Sequence, residues 1–177
     1  MFTIDRESSL LLIVDFQSKL MPAIREGEKA VANAKRLIEA AKLLEVPVFF
    51  TEQNARGLGA TIPELAPDES SLMHKMYFDA CREPDFLRRL QDRPDVVVAG
   101  CEAHVCVQQT VLGLLHAGRK VYVVRDALGA RHLENKETAI HRMERHCAEI
   151  VTTEMVVFEW LATASHPRFR EAVALIK

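Results

Sequence analysis

Three side chains in this sequence have the types needed for covalent hydrolysis: an acid, Asp15, a cation, Lys75, and a thiol, Cys106. The thiol is the most telling because of where it falls. Val96–Val97–Val98 is a short β-branched apolar run of the kind expected in a strand buried on both faces. Gly100 is read as ending it, free of a Cβ that would resist a sharp turn. From Val105 to Ala117 the pattern becomes helical, with Val107, Val111, Leu114 and Leu115 on one face. Cys106 therefore sits in the first helical turn, where unpaired N–H groups and the positive end of the dipole collect. A thiolate is favoured there, and activated thiols of this kind ionise at about 3.5–7.5. The same turn offers the backbone N–H groups of Glu102 and Cys106 as donors to an oxyanion.

Each of the three residues also has a plainer reading. Asp15 directly follows Leu10–Leu11–Leu12–Ile13–Val14, at the carboxyl end of a strand, where open α/β sheets bind ligands. It is either a general base for the thiol or an ordinary cap on the loop that follows. Lys75 stands in Leu72–Met73–His74–Lys75–Met76–Tyr77–Phe78, a mostly apolar run. Its ammonium either snorkels to solvent or points at the thiol and stabilises negative charge there. Cys106 is either a nucleophile or one of the many buried cysteines that only fill a core.

The elements that must position these groups are legible as a rhythm. Apolar runs at Leu10–Val14, Val46–Phe50, Val96–Ala99, Val121–Val124 and Glu149–Thr152 alternate with helical patterns at 28–45, 84–92, 105–117, 135–147 and 167–176. This alternation predicts a mostly parallel, doubly wound sheet between two helical layers, a three-layer α/β/α domain spanning 1–177. Residues 52–71, with Gly57, Gly59, Pro63 and Pro67, read as a long loop at the carboxyl end of a strand, the place for substrate contacts. The segment Glu154–Leu161 holds the only Trp and reads as a dense apolar patch before the last helix.

Composition narrows the function classes. The chain has 177 residues, a formal net charge of -2 and 27% charged residues, which gives no basic excess for nucleic acid and points to a small-molecule partner. The longest apolar run is far too short for a membrane span, and the first residues carry no basic leader, so a cytoplasmic location is expected. The 4 cysteines lack the spacing of a zinc site and the density of a disulfide scaffold, so reduced thiols are expected.

Taken together, Val14–Asp15–Phe16–Gln17, Lys75–Met76–Tyr77–Phe78 and Ala99–Gly100–Cys101–Glu102–Ala103–His104–Val105–Cys106 resemble the Asp–Lys–Cys signature of the isochorismatase-like cysteine hydrolases. The resemblance covers nearly the whole chain. It implies a six-stranded parallel sheet, a cis peptide at Cys101–Glu102, and a homo-oligomer, dimer or tetramer. Nicotinamidases of this family carry an Asp and His ligand cluster after the second strand. This chain has Glu52, Gln53 and Asn54 there and no His before His74, so it resembles the metal-free subgroup of unassigned substrate, with no cofactor expected.

The expected chemistry is C–N hydrolysis through a thioester, with Asp15 as base and then acid, Lys75 as the stabilising cation and Cys106 as nucleophile. Phe16, Leu58, Tyr77 and Phe78 are expected to form an apolar substrate pocket, with Gln17, Gln53 and His104 as polar contacts. The remaining histidines, His141 and His146 among them, are expected at the surface. Two rivals stand beside this reading. One is vinyl ether cleavage of the isochorismatase type, with an Asp as acid and no thiol nucleophile. The other is a redox or interaction module in which Cys101 and Cys106 oxidise.

Overall fold

The structure, a computed structural model, describes residues 2–65, 67–90 and 93–177. Six strands, β1 (Ser9–Val14), β2 (Val48–Gln53), β3 (Leu72–Lys75), β4 (Asp95–Cys101), β5 (Lys120–Gly129) and β6 (Glu149–Val151), form one sheet in the order β3-β2-β1-β4-β5-β6. Every pairing is parallel. The chain runs outward from β1 through β2 to β3, then returns to β4 on the other side of β1. The order therefore reverses between β1 and β4, which is where open α/β sheets present a crevice at their strand ends.

Helices cover both faces. On one, α1 (Gly27–Leu43), α6 (Thr153–Leu161) and α7 (Phe169–Leu175) pack on Leu11, Ile13, Val97, Tyr122 and Val124. On the other, α4 (Gln108–His116) and α5 (Leu133–Arg145) cover Leu10, Leu12, Val14, Val96, Val98 and Val123. Successive residues of β1 and β4 thus feed opposite cores, which explains why both strands read as unbroken apolar runs. Short helices α2 (Ala55–Leu58) and α3 (Phe86–Arg89) lie in the connections around β3.

Several boundaries differ from those the pattern predicts. β4 does not stop before Gly100 but continues through it to Cys101. A Cβ on Gly100 would lie 2.5 Å from the Val14 Cβ and 2.6 Å from the Val14 carbonyl oxygen, so the glycine serves the close approach of β4 to β1 rather than a turn. The 105–117 helix begins differently too. Residues Ala103–Val107 form a wide turn in which Val107 N–H reaches back five residues to the Glu102 carbonyl at 3.3 Å, and α4 follows it. The apolar segment 154–161 is itself a helix, α6, capped where Thr152 Oγ1 accepts from Met155 N–H at 3.4 Å. Val156, Val157, Trp160 and Leu161 are its buried stripe. β2 extends to Gln53, so the long loop begins later than residue 52 and contains α2; residue 66 lies outside the described residues. The pattern at 84–92 yields only α3, and residues 91 and 92 also lie outside the described residues.

Candidate active site

The switch point brings the three predicted residues together. Asp15 directly follows β1 with a left-handed backbone (φ 54°), a conformation uncommon outside glycine and maintained where the surroundings over-determine it. Its carboxylate is fully buried. Oδ1 accepts from Thr51 Oγ1 at 2.7 Å and Oδ2 from Lys75 Nζ at 2.8 Å. The side chain is thus neither a loop cap nor solvated. Nor does Lys75 snorkel: its side chain is 0% exposed, and Nζ also donates to Gln53 Oε1 at 2.8 Å. Cys106 Sγ lies 3.9 Å from that same Gln53 oxygen. One carboxamide oxygen therefore links the ammonium to the thiol, and all of these side chains are buried.

The ionisation of Cys106 departs from the expectation. Burial pushes the thiol up to about 12, the Asp15 carboxylate adds to that, and Lys75 only partly opposes it. Removal from water penalises the charged thiolate more than the ammonium stabilises it. The resting site is a neutral thiol facing a buried carboxylate, a pair in which the acid can serve as base only as the thiol reacts.

The turn that carries Cys106 is held from the side. The Cys101–Glu102 peptide is cis, as the resemblance implies. The Glu102 carboxylate accepts from Arg131 N–H at 3.0 Å and from Arg131 Nε at 3.1 and 3.2 Å. Burial would raise this acid, yet the Arg131 amide and guanidinium, helped by His104, hold it below its ordinary range. Val105 and Val107 N–H both return to the Glu102 carbonyl, at 3.0 and 3.3 Å.

The predicted pocket divides. Tyr77 and Phe78 are half exposed and Gln53 is at the centre, between Lys75 and Cys106. Phe16 does not line the site: it is 0% exposed in the core beneath α1, because the residue after Asp15 turns to the opposite face of the sheet. Gln17 is likewise buried, and its amide clamps the backbone of its neighbour. Oε1 accepts from Gln53 N–H at 2.8 Å, while Nε2 donates to the carbonyls of Gln53 at 3.0 Å and Gly59 at 2.6 Å. Leu58 is half buried in α2, its carbonyl accepting from Lys19 N–H at 3.0 Å. His104 faces Asn135 at 3.5 Å, with a buried Nδ1 that has no partner among the described residues. All 4 cysteines are free thiols, and His141 and His146 are at the surface.

Sequence reasoning missed three supports of the site. Thr51 bonds Asp15, Arg131 grips Glu102, and Glu83 Oε1 accepts from the N–H groups of Met76 at 2.6 Å and Tyr77 at 2.9 Å. The polar run Thr51–Glu52–Gln53 at the end of an apolar strand was the available signal for the first. Beside Lys75 a cleft of 590 Å3 opens, walled by Asn54, Arg56, His74, Met76 and Glu83. The Gln53 carboxamide, whose Nε2 donates to Met76 O at 2.8 Å, connects its wall to the thiol. Among the described residues, no group of three or more His, Cys, Asp or Glu is arranged to hold a metal ion.

Comparison with known proteins decides the family. Residues 9–155 match the isochorismatase domain. The chain belongs to the isochorismatase family. A curated relative, isochorismatase domain-containing protein 2 of Xenopus laevis, is 37% identical over 172 residues, covering 96% of this chain and 83% of its own length. Among solved structures, one described as MAR1 ribonuclease of Caenorhabditis elegans superposes with a TM-score of 0.93 at 33% identity, covering 98% of this chain and 92% of that one. The YcaC gene product of Escherichia coli, described as an octameric hydrolase of unknown specificity, gives 0.87 at 25% identity, over 99% and 88%. The six-stranded parallel sheet flanked by helices matches the fold of these relatives, and membership supports a hydrolase role.

Proposed function

We propose that this chain is a cysteine-dependent hydrolase that cleaves the C–N bond of a small amide through a covalent thioester. The reading rests above all on the Lys75 ammonium, 2.8 Å from both Asp15 Oδ2 and Gln53 Oε1, with the Cys106 sulfur on the same Gln53 oxygen. A thiol pushed up to about 12 is a poor nucleophile by itself, so Asp15 removes its proton as Sγ attacks the carbonyl carbon. The carbonyl electron pair moves onto oxygen, where the N–H groups of Glu102 and Cys106 receive it. Loss of one such donor typically lowers turnover by about 10²–10³. Collapse restores the C=O bond and breaks C–N, and Asp15 passes the same proton to the departing nitrogen. Water then attacks the thioester as Asp15 takes its proton, the S–C bond breaks, and the acid leaves with the thiol reprotonated.

The experiment is an intact-mass search for an acyl adduct on Cys106 during turnover of a panel of small amides and ureas, with isochorismate and RNA included. Cys106→Ala is expected to abolish the adduct and the turnover while the circular dichroism spectrum stays native. Turnover of isochorismate that survives Cys106→Ala would establish the vinyl ether reading instead. We also extend self-association to this chain, because the Escherichia coli relative is described as octameric. Light scattering is expected to give a mass of at least two chains.

A further inference from the structure

The cleft beside Lys75 carries an arginine that the proposed chemistry does not use. Arg56, on α2, is exposed in its wall and has no hydrogen-bond or ion-pair partner among the described residues. Arg82, next to Glu83 of that wall, is held elsewhere, its guanidinium 5.7 Å above the ring of Tyr77. The acids nearby are hydrogen-bonded to groups other than Arg56. Glu83 Oε1 takes the N–H groups of Met76 and Tyr77 at 2.6 and 2.9 Å. Glu52 is 2% exposed, accepts from Thr61 N–H and Oγ1 at 2.6 and 2.8 Å, and faces His74 Nδ1 at 3.2 Å. Arg56 thus presents a guanidinium that is unpaired among the described residues in the wall of the cleft beside Lys75.

The position of Arg56 is also set by the site. Asn54 N–H donates to the Lys75 carbonyl at 2.9 Å, and the Leu58 and Gly57 N–H groups return to Asn54 O at 3.0 and 2.7 Å. That pins α2 to the end of β3. Arg56 stands three residues from Gln53, whose carboxamide touches both Lys75 and the Cys106 sulfur. A guanidinium in this place recognises a carboxylate through paired N–H donors. Resting on the thiol mechanism above, we propose that Arg56 selects amide substrates bearing a carboxylate at the end remote from the scissile bond. The anion lies in the cleft wall while the uncharged amide enters toward Lys75 and Cys106.

Two alkylating reagents of nearly the same shape test this without knowledge of the substrate. Iodoacetate carries a carboxylate and iodoacetamide does not. In either case the S–C bond forms, C–I breaks, iodide leaves and the thiol proton passes to Asp15. Labelling rates at Cys106 are read by peptide mass spectrometry, with the exposed Cys147 as internal reference. The iodoacetate-to-iodoacetamide ratio at Cys106, relative to Cys147, is expected to fall at least about threefold in Arg56→Gln, because charge at a cleft mouth raises the local concentration of an opposite ion. Arg56→Lys is expected to keep most of the ratio, and added salt to erase the difference between wild type and Arg56→Gln. A ratio unchanged by Arg56→Gln overturns anion selection and leaves the thiol mechanism standing. Cys106 inert to both reagents, while Cys147 reacts, overturns the thiol mechanism and the selection with it.

Discussion

At the scale of single residues, the site depends on one buried ion pair that polar neighbours satisfy on every side. Lys75 and Asp15 have fully buried side chains 2.8 Å apart, with Thr51 on the other carboxylate oxygen and Gln53 on the ammonium. Such a pair gives little net stability, but removing one member strands a charge in the core, typically at about 3–5 kcal/mol. Lys75→Met is therefore expected to lower the unfolding free energy, read from urea denaturation, by an amount in that range. The double variant Lys75→Met/Asp15→Asn is expected to recover much of the loss. Equal destabilisation in both would show that packing, not the stranded charge, is responsible. The same substitution removes the group that holds the Cys106 thiol down, so alkylation of Cys106 is expected to slow at every pH. In the native protein the alkylation rate is expected to keep rising beyond pH 9, where an ordinary free thiol with a value of 9.0 approaches its plateau. A plateau near pH 7 would show instead the activated thiolate that the helix-start position suggests.

At the scale of elements, the β1–β4 contact decides whether Asp15 and Cys106 meet. Gly100 is paired with Val14, and a Cβ there would fall 2.5 Å from the Val14 Cβ and 2.6 Å from its carbonyl oxygen. Backbone cannot yield as a long side chain does, so Gly100→Ala is expected to cost about 1–3 kcal/mol or more and to reduce Cys106 alkylation by moving β4 away from Asp15. Chemical denaturation measures the first effect and peptide mapping the second. An unchanged midpoint would mean that the two strands separate freely. Sequence pattern revealed Gly100 as special but assigned it to the turn, because a pattern shows where a side chain is missing and not what would collide with one. The central strands β1 and β4 were readable because burial on both faces leaves continuous apolar runs. The edge strand β3 was not: it covers only Leu72–Lys75 of a longer apolar run, and it carries His74 outward and Lys75 inward. Asp15 was legible as an acid at a strand end, Lys75 as a cation in an apolar run and Cys106 as a thiol at a helix start. Phe16 and Gln17 were misplaced because the left-handed turn at Asp15 sends the following side chains into the core and under Gln53, a change of direction that no periodicity records.

At the scale of the whole molecule, burial acts on several thiols in the same direction, and that makes alkaline stability a global test of the fold. Cys106 is pushed up to about 12, and burial also raises Cys101 and, together with Asp79, Cys81. A thiol whose folded value lies above its unfolded one keeps a proton that the unfolded chain releases. Its contribution is complete below the unfolded value, near 9, and is lost as pH climbs toward the folded one. Each thiol that stays protonated steepens the loss by up to about 1.4 kcal/mol per pH unit. Cys101 and Cys106 are 0% and 6% exposed, so solvent screens neither of them much. The urea midpoint is therefore expected to hold steady up to about pH 8 and then fall steeply between pH 9 and 11. Cys106→Ala removes one of these protons, so its alkaline limb is expected to be shallower by about one proton while its neutral stability shows only the loss of a buried side chain. A midpoint that stays level to pH 11 would mean that the thiols ionise as easily in the fold as outside it. The Cys106 pocket would then be open to water, and the proton transfer assigned to Asp15 would have no reason to exist.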